Sequence, residues 1–112
     1  MTVDEALRAL ADPTRRAILV LVREREVAAG EIAAHVPGMS RPAVSQHLRI
    51  LVGAGLLDVR RDGNRRLYRL RPEGFADAAA FLDTMWSGAL DRLKQVAERE
   101  ERARPGAKEG SA

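Results

Sequence analysis

The stretch Ser40-Arg41-Pro42-Ala43-Val44-Ser45-Gln46-His47-Leu48-Arg49-Ile50-Leu51 decides how the chain is read. Ser40 has the side chain of an N-cap, Pro42 suits a first helical turn, and Val44, Leu48 and Leu51 recur at i, i+4 and i+7. These positions predict a helix with one buried face. The opposite face carries Arg41, Ser45, Gln46 and Arg49, with His47 at the border, and Gly53 and Gly55 mark its end. Upstream, Gly30 and Glu31 open a shorter helix holding Ile32, Ala33 and Val36, and Pro37 and Gly38 stop it abruptly. A turn of about three residues separates the two, so the pair reads as a helix-turn-helix whose second helix exposes hydrogen-bonding groups.

Downstream the period changes from 3.6 to 2. Leu57, Val59 and Arg61 alternate with Asp58 and Arg60; Asp62-Gly63-Asn64 supplies residues that accept φ > 0; and an extended pattern resumes through Leu67, Tyr68 and Leu70. A two-stranded hairpin is expected. Arg60, Arg61, Arg65 and Arg66 flank its turn, more cationic charge than covering a core requires, which points to a wing that lies along a nucleic-acid backbone or enters a minor groove.

Outward from this centre, Thr2 with Glu5 forms a capping-box pattern for a first helix ending near Asp12, with Val3, Leu7 and Leu10 at helical spacing. Asp12 and Pro13 then cap and open a second helix, whose Ile18, Leu19, Leu21 and Val22 are apolar, running to about Arg25 with Arg15 and Arg16 in an exposed first turn. From about Phe75 to Ala103 the helical period returns, which at 1.5 Å per residue spans roughly 40 Å, more than the width of so small a domain. Two adjoining apolar stripes run along it: Ala78, Leu82, Met85, Ala89, Leu93 and Val96 beside Ala79, Leu82, Trp86, Leu90, Leu93 and Ala97. An arc that wide exceeds what one small core covers, so part of it is expected to pack on a second subunit. Residues 1–103 are read as one domain and 104–112, with Pro105, Gly106 and Gly110, as a disordered tail.

The 112 residues allow one domain, and 46% hydrophobic against 31% charged residues favours a folded core. No cysteine is present, excluding disulfides, thiolate zinc sites and thiol chemistry within the chain. No apolar run is long enough to span a bilayer and no secretory signal is evident, so a cytoplasmic location is expected. The net charge of +3 is uneven: between Ser40 and Arg71 eight arginines face Asp58 and Asp62, a balance of 8 − 2 = +6, which leaves +3 − 6 = −3 for the rest. A basic centre in a mildly acidic chain suits a polyanionic partner.

Four segments together, Ala11-Asp12-Pro13-Thr14-Arg15-Arg16, Ser40 through Leu48, Ala54-Gly55-Leu56-Leu57, and Arg61-Asp62-Gly63 through Tyr68-Arg69-Leu70, resemble the ArsR/SmtB family of small dimeric winged-helix repressors. The resemblance covers about Ala6 to Leu93. It implies a mainly α, winged helix-turn-helix fold of about five helices plus a two-stranded wing, dimerising through its first and last helices, with the fourth helix in the major groove of DNA and repression generally of its own operon. Transferred to this sequence, Ser40 and Arg41 would meet phosphates, Ser45, Gln46, His47 and Arg49 would face the groove, and Arg60, Arg61, Asn64, Arg65 and Arg66 would serve the wing. Leu7, Leu82, Met85, Trp86, Ala89 and Leu93 would form the homodimer interface. Chemistry agrees independently, because Gln pairs bidentately with adenine and Arg with guanine.

The sequence departs from the metal-sensing members. Their cysteine-containing motif would fall near Ala28 to Gly30, where no ligand stands, and the last helix has no histidine; Asp83, Asp91 and Glu98 on it suit even hard cations poorly without convergence. His35 has no partner at i+3 or i+4. The expectation is therefore no metal, no cofactor and no thiol sensor, with any effector unknown. An enzyme is disfavoured because Ser45 and His47, two apart on a helix, point about 200° from one another. The remaining rival is a winged-helix protein-interaction module without DNA binding, which predicts an acidic or apolar surface where arginines and Gln46 stand.

Overall fold

A computed structural model of the protein describes residues 2–103; the expected tail, 104–112, lies outside the described residues. The elements run α1 (Val3–Leu10), α2 (Pro13–Leu21), β1 (Val27–Ala28), α3 (Ala29–Ala34), α4 (Arg41–Gly53), β2 (Leu57–Asp62), β3 (Arg65–Leu70), a 3-10 turn (Pro72–Phe75) and α5 (Ala76–Ala103). Five α-helices and a hairpin thus appear as expected. Three helix starts have the side-chain caps read from sequence: Thr2 Oγ1 accepts from the Glu5 amide (3.1 Å), Asp12 Oδ2 from that of Arg15 (3.0 Å) and Ser40 Oγ from that of Ala43 (3.2 Å).

Two details differ from the expectation. The wing hairpin is part of a three-stranded antiparallel sheet of order β1-β3-β2, because Val27 pairs with Tyr68 and Ala28 with Leu67. Two residues carry no readable period, so only the partner strand reveals this one. Helix α2 also stops at Leu21 rather than near Arg25. The carbonyl of Val22, just past its end, accepts from the Leu70 amide at the end of β3 (3.3 Å), so the backbone there is satisfied by the sheet and leads into β1.

The chain divides after Ala79 into two compact units. In the first, α2, α3 and α4 pack with the sheet around Ile18, Val22, Val27, Ile32, Leu51, Leu56 and Leu57, each 2% exposed or less. Burial of such side chains contributes roughly 1.5–3 kcal/mol apiece. The 3-10 turn crosses the α4–β2 link so closely that a Cβ on Gly74 would run into the Gly55 carbonyl, which only glycine permits. At the hairpin tip the register joins Asp62 to Arg65 around a two-residue loop, and Gly63 takes φ +63° at the first loop position. The second unit holds the rest of α5, whose Phe81, Leu82, Met85, Trp86, Leu90, Leu93 and Val96 are exposed.

Candidate nucleic-acid interface

Helix α4 keeps the two faces its sequence prescribes. Val44, Leu48 and Leu51 are buried, while Arg41, Ser45, Gln46 and Arg49 are exposed. Gln46 and Arg49 are not independent: Arg49 Nη2 donates to Gln46 Oε1 at 2.6 Å across one turn. That bond ties together two exposed side chains able to pair with base edges, and it occupies the Gln46 acceptor.

His47 stands apart from them. Its imidazole is 18% exposed and turned to the start of α2, with Nδ1 3.4 Å from Arg15 Nη1 and 3.8 Å from Asp12 Oδ2. The arginine in that contact does more than the sequence suggested. Arg15 Nε donates to the Ala9 carbonyl (2.8 Å) and Nη2 to that of Arg8 (3.1 Å), and Arg16 Nη1 donates to Leu10 (2.7 Å). Both arginines therefore bond the last carbonyls of α1, where cations are favoured, although that of Arg8 also accepts from the Ala11 amide (3.2 Å). The signal was available: a helix broken at Ala11-Asp12 leaves its last carbonyls beside the next residues long enough to reach back. The Arg15 amide on its carboxylate, aided by the charge of His47, holds the Asp12 carboxyl below its ordinary value.

The hairpin separates its arginines by face. Strand alternation and the register put Arg60, Asp62, Arg65 and Arg69 on one face with Asp58, and Arg61, Arg66, Val59 and Tyr68 on the other. On the first face the cations have acidic neighbours. Arg60 grips Glu26 with two bonds (Nε 2.6 Å, Nη2 2.8 Å), and Arg65 meets Asp62 at 3.2 Å. Arg69 lies 3.9 Å and Arg71 3.8 Å from Asp58. The bond from Arg60 lowers the Glu26 carboxyl below its ordinary range and raises the guanidinium in return. On the second face Arg61 and Arg66 sit directly opposite each other, and no salt bridge involves either among the described residues. Arg41 at the start of α4 is likewise without an acidic partner there, and Asn64 is exposed in the loop.

Sequence reasoning missed Glu26 as well as Arg15, because Glu26 reaches Arg60 across 34 residues and precedes a strand too short to read. His35 is a surface residue whose Nδ1 lies 2.9 Å from the Glu31 carbonyl of its own turn. Among the described residues no three His, Cys, Asp or Glu side chains converge as a metal set would, and no helix is long and apolar enough to cross a membrane.

A helix-turn-helix followed by a basic hairpin defines a winged helix-turn-helix protein. The comparisons agree. A family model for a helix-turn-helix domain matches residues 10–60. The HTH-type transcriptional regulator Rv2034 of Mycobacterium tuberculosis is 45% identical over 97 residues, covering 87% of this chain and 90% of that protein. The crystal structure of a possible transcriptional regulator for arsenical resistance superposes with a TM-score of 0.70 at 46% identity, covering 84% of this chain and 95% of the other. A solution structure of the homodimeric winged helix-turn-helix DNA-binding domain of a possible ArsR-family regulator from Mycobacterium bovis gives 0.60 at 33%, covering 76% and 78%. The chain belongs to the ArsR/SmtB family of winged helix-turn-helix transcriptional regulators. It is a DNA-binding regulator and not an enzyme.

Proposed function

We propose that two copies of this chain bind a twofold-symmetric DNA site as a homodimer and repress transcription there, with α4 in the major groove and the hairpin against the flanking backbone. The single observation carrying this reading is the sorting of side chains on α4, where Val44, Leu48 and Leu51 turn inward and Arg41, Ser45, Gln46 and Arg49 turn to solvent. Ser45, Gln46 and Arg49 are assigned to base edges, Ser40 and Arg41 to phosphates, and His47 to the edge of the contact through its hold on α2. Within the wing, Arg61 and Arg66 are the foremost phosphate ligands. Arg60, Asn64 and Arg65 flank them, with Arg60 and Arg65 first giving up Glu26 and Asp62.

Homodimerisation is supported by the apolar side chains along α5, among them Leu82, Met85, Trp86 and Leu93, exposed beside half-buried Ala89. Leu7 of α1 is half-buried and joins the same interface in this reading. The Mycobacterium bovis relative is itself homodimeric. Residues 1–103 act as one functional domain. Control by metal or thiol is not part of the proposal, since the ligand positions of the metal-sensing members are occupied here by Ala28, Ala29 and Gly30.

Gel shifts on the DNA upstream of the coding region, at two salt concentrations, test the division of labour. Gln46→Ala is expected to relax choice at one base pair by about 1–3 kcal/mol, whereas Arg66→Ala weakens all sequences alike and lowers the salt slope by about one. Equal, sequence-blind losses from both variants would refute the assignment.

A further inference from the structure

Between the C-terminal half of α4 and the second face of the hairpin lies an open groove of about 510 Å³. Leu48, Val52, Val59 and Tyr68 line it together with Arg49, Arg61 and Arg66. One of its features is not explained by phosphate contacts. Val59 is 43% exposed in the middle of a strand, continuous with half-buried Val52, and a phosphodiester offers nothing apolar for either. Arg61 and Arg66 face each other here without carboxylates, although like charges placed opposite each other on a sheet repel, and so stand ready for an anion; Arg60, which also lines the groove, is already held by Glu26. The other face of the same hairpin neutralises its arginines with Glu26, Asp58 and Asp62.

We propose that this groove is an effector site for a small amphipathic carboxylate, its apolar body lying on Leu48, Val52, Val59 and Tyr68 and its anionic head held by Arg61 and Arg66. The volume is in the range of small-molecule sites, about 300–1,000 Å³, and an apolar lining with a few charged groups is their usual composition. The proposal rests on the reading of Arg49, Arg61 and Arg66 as DNA contacts, because occupancy diverts the same cations and so releases DNA. Ligand and duplex are mutually exclusive here, which requires no movement of the fold.

Decanoate below its micellar concentration is the probe, with decanol as the uncharged control. Methyl NMR of the full chain is expected to show the Val52 and Val59 signals moving with decanoate and not with decanol. Decanoate at about four times its own dissociation constant raises the apparent Kd for duplex DNA about fivefold, and the rise continues in proportion to its concentration, as direct competition requires. Val59→Trp, an aromatic substitution strands accept, fills the floor and abolishes the methyl response of Val52; Arg66→Gln removes the preference for decanoate over decanol. Unmoved methyl signals, equal responses to the two probes, or an undiminished response in Val59→Trp would overturn the site. Decanoate binding in the groove by a protein that retains no duplex would instead remove the DNA contacts assigned to Arg61 and Arg66, leaving the carboxylate site in place.

Discussion

Helices α4 and α5 carry similar apolar stripes and meet opposite fates. Leu48 and Leu51 on α4 are 2% and 0% exposed, whereas Met85 and Leu93 on α5 are 60% and 64% exposed. The leucines of α4 lie among α2, α3 and the sheet, a ready-made cover. Those of α5, Leu82, Leu90 and Leu93, fall in a separate compact unit and are exposed. Helical periodicity specifies which face is apolar; it does not specify what covers that face. Where the chain supplies the cover, the stripe stabilises the fold; where it does not, the same residues are material for association.

Substitutions can separate the two roles. Leu51→Ala is expected to cost about 2–5 kcal/mol in denaturant unfolding, the range for emptying a packed core position. A loss below 1 kcal/mol would show that α4 is less well covered than its burial indicates. Gly74→Ala follows, at about 1–3 kcal/mol, because the added methyl has no room against the Gly55 carbonyl and backbone must shift. Leu93→Asp is expected to change the stability of the isolated chain by no more than about 0.5 kcal/mol, as at an exposed position. Sedimentation should nevertheless report single chains where the parent pairs. If Leu93→Asp unfolds the chain at high dilution, the stripe was serving an internal core and the contrast with α4 disappears.

The smallest effect is one of pH. Asp12 and Glu26 both have carboxyls lowered in the folded chain, by the Arg15 amide and by Arg60 respectively. The unfolded chain therefore binds protons more readily at these groups, and stability rises with pH through that window. Their contribution is present above the ordinary carboxylate pKa, about 4, and is lost as pH falls through the lowered folded values. Glu26→Gln should flatten this acid limb slightly in a pH series of urea midpoints. An unchanged limb would mean that the link from Arg60 to Glu26 forms without stabilising the wing.

Most of the fold could be read along the chain, and the reasons are local. Thr2, Asp12 and Ser40 bond amides three residues away, so each cap is written within four letters. The stripe Val44, Leu48, Leu51 and the turn at Gly63 are equally short-ranged. What escaped was settled across distance. Strand β1 exists because Tyr68 and Leu67, some forty positions later, present a free edge to Val27 and Ala28. Arg15 looks like an exposed cation until the end of α1 is placed beside it, and Arg60 looks like a phosphate ligand until Glu26 is. The basic centre was visible as a sum, but its division into neutralised and unneutralised arginines depends on which strand face each occupies.

The sequence alone determined the succession of helices, the hairpin, the polar face of α4 and the basic character of the region around it, since propensity, capping and periodicity act within a turn or two of the chain. Tertiary structure decided which cations are held by carboxylates, where His47 turns, and that Val59 and Val52 line a groove with Arg61 and Arg66. Those outcomes depend on close approach between segments far apart in sequence, which nothing local encodes.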